Sequence, residues 1–198
     1  MMDRRVAAHA HGLEGIKAAV RAGVTSIEHG SILDAEAVRM MKERGTWLVP
    51  TLLAGVTVES LATAGRLPPA IAAKALAIAP RMRASFKLAL DGGVRIVLGT
   101  DAGVMRHGTN GREFGLMVRY GMTPMQAIVA GTSSGATLLG LEAEIGTIAA
   151  GKRADVVAVR GDPLQTIALL ERVDFVMKDG VVFKRDGQVV GRSAAGAP

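Results

Sequence analysis

The 198-residue sequence predicts an α/β fold built from βα units on a parallel sheet, followed by a small β appendage. Three observations carry that expectation. From Val6 to about Leu141, short apolar β-type runs alternate with longer helical patterns, the signature of parallel βα architecture. Aromatic residues are only 3% of the chain against 49% hydrophobic, so the core must be assembled from Ala, Val, Leu, Ile and Met, a set that suits stacked strands and helices. Beyond Leu141 the texture changes to apolar–polar alternation around Lys-Asp-Gly and Arg-Asp-Gly, which is hairpin chemistry. The expected division is therefore residues 1–141 and residues 142–198.

The first unit places a strand at Val6–His9 and a helix over Leu13–Ala22, with Leu13, Ile16, Lys17 and Val20 at helical spacing and Gly23 as the stop. "VTSIEH", Val24–His29, is the second strand, and its helix runs from an Asp34 N-cap to Arg44, ended by Gly45. "TWLVPT", Thr46–Thr51, is the third strand. A long excursion follows, in which Pro68 and Pro69 open a helical pattern reaching Leu90 and interrupted at Pro80. The fourth strand is "VRIVLGTDAG", Val94–Gly103, entered through Gly92-Gly93. After it come a polar loop, "MRHGTNGREF", and two helical segments, "TPMQAIVAG" and "SSGATLLG", the first with Thr123 as cap and Pro124 at the first helical position. The appendage holds a short helical segment near Leu164–Leu170 and hairpins in "VDFVMKDGVVFKRDGQVV", and the tail "SAAGAP" is expected to fray.

Composition narrows the function classes. The chain has no cysteine, which removes disulfides, thiolate zinc sites and cysteine nucleophiles, so a transition metal must be held by His, Asp or Glu. The formal charge is +6, but the 24 Lys and Arg are scattered and few aromatics exist to stack on bases, so a solvated basic surface is expected and no nucleic-acid partner. Uncharged stretches, such as that between Arg44 and Glu59, are too short or too broken by Pro and Gly to span a membrane. The N-terminus lacks the apolar region of a signal peptide, and the default expectation is a cytoplasmic protein.

Three of the four strands end in an acid or an imidazole: His9 with His11, Glu28 with His29, and Asp101. Strand C-termini of a parallel barrel converge on one face, which would gather His9, His29 and Asp101 around one point. Two imidazoles and a carboxylate suit Zn²⁺, with Mn²⁺ or Fe²⁺ also chemically apt. Taken singly, each such residue can equally be a solvated loop residue or a helix cap. His11 falls on the same side as His9 by strand alternation, so it either approaches the same cavity or faces substrate or solvent. His107 sits in the loop as a substrate-gating or solvent-exposed residue, and Arg106 or Arg112 there can meet a substrate carboxylate or simply water.

These motifs resemble the amidohydrolase superfamily. "HAHG", then "IEHG" with His29 20 positions after His9, then "LGTDAG" after a long helical excursion, follow its order, most of all that of the imidazolonepropionase-like and Xaa-Pro dipeptidase group. "MTPMQAIVAGTSSGATLLGL", "IGTIAAGKRADVVAV" and "VDFVMKDGVVF" are similar to its last barrel helices and to the returning strands of its small β-sandwich. The resemblance implies the second half of a (β/α)8 barrel, strands five to eight, plus part of that sandwich. It implies His9 and His29 as metal ligands after the fifth and sixth strands, Asp101 after the eighth as metal contact and catalytic proton shuttle, and His11 as a substrate contact. The family's strand-one His-x-His pair and strand-four lysine have no counterpart in this sequence, because Val6 already matches the fifth strand; a full barrel needs roughly 250 residues.

The expected function is metal-dependent hydrolysis of amide or peptide-like C–N bonds in a small-molecule or dipeptide substrate, with Zn²⁺ or another divalent transition metal polarising the carbonyl and acidifying water. Cyclic amides of the imidazolonepropionase type are the alternative substrates. The alternative from another class is a non-catalytic half-barrel, truncated or needing a partner chain, whose uncovered strand edges and apolar face would drive homo-oligomerisation. A basic nucleic-acid module rests on net charge alone.

Overall fold

The computed structural model describes residues 4–190. Its centre is a parallel sheet of β1 (Ala7–Ala10), β2 (Ser26–His29) and β3 (Trp47–Val49), in that order, with His9 opposite Glu28 and Ala10 opposite His29. Helices α1 (Leu13–Ala22) and α2 (Ala35–Arg44) connect these strands. Ile16 and Val20 of α1, Ile27 of β2, Val38 and Met41 of α2 and Leu48 of β3 are buried in one cluster with Phe86. Each such side chain contributes about 1.5–3 kcal/mol by leaving water.

The α1 and α2 boundaries follow from local chemistry. Gly23 and Gly45 end the two helices in the left-handed conformation, at φ 85° and 67°. Asp34 caps α2 by accepting from the Ala37 N–H at 2.7 Å. Lys17 occupies a core-facing position on α1, and its ammonium leaves the apolar cluster by donating to Asp34 at 2.8 Å and to Glu36. The helical spacing that includes Lys17 thus describes a snorkelling side chain that ties α1 to the start of α2.

The run expected as a fourth strand pairs only once. Leu48 and Ile96 form a parallel bridge, in which the Leu48 N–H donates to the Arg95 carbonyl at 2.9 Å and the Val97 N–H to the Leu48 carbonyl at 3.0 Å. Leu98 then turns away and donates to the Ala130 carbonyl. Gly99 allows β3 to come so close that any Cβ there would collide with Val49. The segment keeps its place beside β3 through this single bridge, and the sheet is an open one.

The excursion after β3 is two helices rather than one. α3 (Leu52–Thr63) was not foreseen, because its apolar residues are not confined to one face; Leu52, Leu53, Ala54 and Ala62 are buried by packing against other helices. α4 (Pro69–Asp91) runs unbroken through Pro80, where an interruption was expected. Pro80 and Leu76 are both exposed, so the carbonyl deprived of its donor lies on the water-facing side. α5 (Arg112–Arg119) takes up the end of the expected polar loop, and α6 (Pro124–Ala130) opens with a capping box between Thr123 and Gln126. α7 (Ser133–Leu139) stops at Gly140.

The break near Leu141 falls between α7 and a four-stranded antiparallel sheet of β4 (Val156–Ala158), β5 (Phe175–Lys178), β6 (Val181–Arg185) and β7 (Gln188–Val189). Asp179-Gly180 and Asp186-Gly187, all at φ between 49° and 79°, make the tight hairpin turns. A 3-10 helix, Ile167–Glu171, links β4 to β5 and lies against α5, where Gly111 is required because a Cβ would meet the Leu170 carbonyl. Among the described residues this region is one sheet, not a two-layer sandwich. The tail at 193–198 lies outside the described residues. No helix among the described residues is long and apolar enough to cross a membrane.

Candidate metal centre

The ends of β1 and β2 bring three imidazoles together. His9 lies in β1, His11 just beyond it, and His29 is the last residue of β2. The ring centroids are 4.8 Å apart for His9 and His11, 4.5 Å for His9 and His29, and 4.6 Å for His11 and His29, the last pair stacked at 15°. One ring nitrogen from each lies within 4.8 Å of the others. His29 Nε2 and His9 Nδ1 share a hydrogen bond of 2.9 Å.

Buried hydroxyls orient two of the rings. Thr51, two residues beyond β3, places Oγ1 at 2.7 Å from His29 Nδ1, and Ser31 places Oγ at 2.7 Å from His11 Nδ1. The Ser31 carbonyl accepts from Ser85 of α4 at 3.0 Å, which holds that residue from behind. The backbone here is itself unusual. His29, Thr51 and Asp101 have φ of 72°, 47° and 54°, a region costly for residues with a Cβ. The only other non-glycine residues of this kind among those described are the two hairpin aspartates. Such conformations at three successive strand ends mark a site where side-chain direction outweighs backbone comfort.

All three of these residues, with His9 and His11, line one cavity of about 240 Å³. Its far wall is apolar, formed by Ala54, Gly55 and Val58 of α3 and Ala75, Ile78, Ala79 and Met82 of α4. Gly55 is needed there because a side chain would collide with Met82. Burial, then the charges of His11 and His9, push the His29 pKa down to about 4, while Asp101 opposes them. His11 is lowered for the same leading reason, burial, followed by His9 and opposed by Asp101. His29 in particular is neutral at pH 7 and offers a lone pair, the form a metal requires.

The donor set fits a borderline cation. A tetrahedral zinc with bonds near 2.0–2.1 Å needs ligand nitrogens about 3.3 Å apart, so His9 Nδ1 and His29 Nε2 at 2.9 Å must separate by a few tenths of an ångström only. Imidazoles oriented through the other ring nitrogen by a hydroxyl, as Thr51 orients His29 and Ser31 orients His11, are the pattern of metal ligands.

The structure brings His9, His29 and His11 together and sets Asp101 in the same cavity, although its carboxylate is not among the three converging groups. Arg106 and His107 are exposed beyond Asp101, and Arg112 is exposed at the start of α5; none of the three lines the cavity. Sequence reasoning missed Thr51, Ser31 and Glu113. Glu113, wholly buried, accepts from the backbone N–H groups of Leu52 at 2.8 Å and Leu53 at 2.7 Å and so supplies the cap that α3 lacks, directly beside Thr51. Burial raises its pKa to about 7 despite those two donors. Thr51 was findable, since it ends its strand as His29 ends the strand before; Glu113 carried no signal.

Residues 1–183 match the model of the amidohydrolase family. The chain belongs to that family. The amidohydrolase chain is 37% identical over 191 residues to ochratoxinase from Aspergillus niger, covering 93% of itself and 39% of that relative. Among solved structures it is similar to a Xaa-Pro dipeptidase with methionine bound in its active site, at 46% identity and a TM-score of 0.88, covering 91% of this chain and 45% of that one. A prolidase from Bifidobacterium longum, described as putative, superposes with a TM-score of 0.84 at 31% identity, over 93% and 48% of the two chains. The chain thus spans less than half the length of these relatives.

Proposed function

We propose that this chain supplies the second half of a (β/α)8 amidohydrolase barrel, and that the assembled site hydrolyses amide or peptide-like C–N bonds. In this reading β1, β2, β3 and the 94–103 segment are strands five to eight, residues 1–141 are the barrel portion and residues 142–198 the appendage. The observation that carries it is the convergence of His9, His29 and Asp101 on one cavity from three strand ends far apart in sequence. Its support is the span: the chain covers 39–48% of each of these relatives.

His9 and His29 would hold the cation, Zn²⁺ or a similar divalent transition metal, with Asp101 beside it. When bound, the cation supplies Lewis acidity toward water and the substrate carbonyl. Asp101 accepts the proton of the attacking water and delivers it to the leaving nitrogen, acting as base and then acid at one position. Asp101, at a left-handed backbone position, lines the same cavity as His9 and His29. The apolar wall of α3 and α4 keeps competing water out and accommodates an apolar substrate group, as in a dipeptide or an N-acyl amino acid. Asp101→Asn should lower hydrolysis of such substrates by about 10²–10⁴-fold with unchanged folding; full activity in that variant would sink the reading.

A second reading is favoured by one feature. On the inward side of the sheet, Val6, Ala7, Val49, Val97, Leu98 and Leu138 line an open cleft of about 540 Å³, with Glu28 and Arg5 at its polar edge. A chain presenting this face functions through assembly, as a homo-oligomer or with a partner that completes the sheet.

A further inference from the structure

We propose that Gly55 of α3 and Met82 of α4 together set the size of the apolar group the cavity accepts, so that the site selects substrates carrying one aliphatic side chain of about leucine size beside the scissile bond. The inference rests on the hydrolase reading and adds to it a substrate class and two specificity-determining residues.

The first argument is position. The Gly55 N–H donates to the Thr51 carbonyl at 3.4 Å, which puts Gly55 one helical turn, about 6 Å along the axis, beyond the residue whose hydroxyl holds His29. A leucine-sized side chain attached next to a carbonyl beside His29 spans that distance.

The second argument is packing. Gly55 and Met82 both line the cavity, and the tip of Met82 lies over the Gly55 backbone: a Cβ at position 55 would stand 2.7 Å from Met82 Sδ and closer still to its methyl. Glycine inside a helix is less favourable than alanine, so its place in α3 has a packing reason, and the space left by the missing side chain is where the Met82 tip sits. Met82 is unbranched and turns about three bonds, so a side chain at position 55 would return the tip to the cavity without breaking the wall.

Volume and polarity define the guest. The cavity of about 240 Å³ lies below the roughly 300–1,000 Å³ of sites for drug-sized ligands, so it seats the scissile group and one compact side chain. Ala54, Ala75 and Ala79 keep the space between the helices open, and Val58 and Ile78 complete a wall without a polar side chain. The group is therefore held by burial alone, and each added methylene should strengthen binding about fourfold until the space is filled.

The test is a titration of the chelator-treated chain, in which binding is independent of hydrolysis, with N-acetyl-glycine, N-acetyl-L-alanine and N-acetyl-L-leucine. Affinity is read from the NMR line widths of the ligands, and location from the ¹³C-methyl signal of Met82, identified by its disappearance in Met82→Leu. In the wild type the leucine derivative is expected to bind about 10–60-fold more tightly than the alanine derivative and to shift the Met82 signal, which N-acetyl-glycine leaves in place. Gly55→Ala should lower the affinity for the leucine derivative about 10-fold while that for the alanine derivative changes less than about twofold, and adding Met82→Val should restore it. Equal melting curves show that the variants fold, and the wild-type titration decides without them. A wild type that binds the leucine derivative no more tightly than the alanine derivative, or binds neither, overturns the proposal, as does an unmoved Met82 signal or an unchanged preference in folded Gly55→Ala. The hydrolase reading is judged separately by Asp101→Asn hydrolysis.

Discussion

Glu113 is the residue whose chemistry most constrains the site without touching it. Its carboxylate fixes the first two N–H groups of α3, and those hold Thr51 in the left-handed turn from which Oγ1 reaches His29. Because burial lifts its pKa to about 7 from an ordinary value near 4.5, the folded protein binds the Glu113 proton more tightly than the unfolded chain does. Its contribution to stability is therefore present below about pH 4.5 and is lost as pH rises toward 7. His29, lowered to about 4, works in the opposite sense, with stability lost as pH falls from 6.5 toward 4. Comparing wild type with Glu113→Gln removes the shared His29 effect. The stability advantage of wild type over the variant, by urea unfolding of metal-free protein, should shrink steadily between pH 4.5 and 7; a flat difference would show that Glu113 titrates normally. At this scale the meeting of His9, His29 and Asp101 in one cavity was legible, since side chains at the ends of neighbouring strands need only the strand assignment to be placed. Ser31, Thr51 and Glu113 were not, because a hydroxyl or a buried acid acquires its role from a partner 20 to 61 residues away.

Among the elements, those with strong local signals appear where expected. The Asp34 cap, the Gly23 and Gly45 stops, the Thr123–Gln126 capping box and the Asp-Gly hairpins all depend on neighbours within a few residues. α3 depends instead on α4, α5 and the Glu113 cap, and no window of its own sequence carries that information. The 94–103 run has the composition of a strand, but it makes a single bridge to β3, at Ile96, before Leu98 turns to the Ala130 carbonyl. Pro80 shows the converse, a strong breaker overruled by the packing of Ala79 and Met82 on one face of α4. Its missing hydrogen bond still costs stability, and Pro80→Ala should raise the unfolding free energy by about 1–3 kcal/mol in urea titrations. A loss of stability would mean that Pro80 itself is needed to seat α4 on the cavity.

At the scale of the molecule, the open parallel sheet and its cleft are the dominant features. A face that includes Val6 at 50% and Leu139 at 62% exposure is expected to be covered. Size-exclusion chromatography over a hundredfold concentration range should therefore show self-association, and a monomer at every concentration would show that this face is stable uncovered. The parallel βα order was legible because the alternation is written along residues 6–141; the sparse pairing of the 94–103 run was not, because it depends on contacts with β3 and Ala130 far away in sequence. The account as a whole stands on a metal held at the ends of β1 and β2. Equilibrium dialysis against Zn²⁺, comparing wild type with the His9→Ala, His29→Ala double variant, tests this most directly: the account predicts one ion per wild-type chain and none in the variant. Equal zinc uptake by both would contradict it.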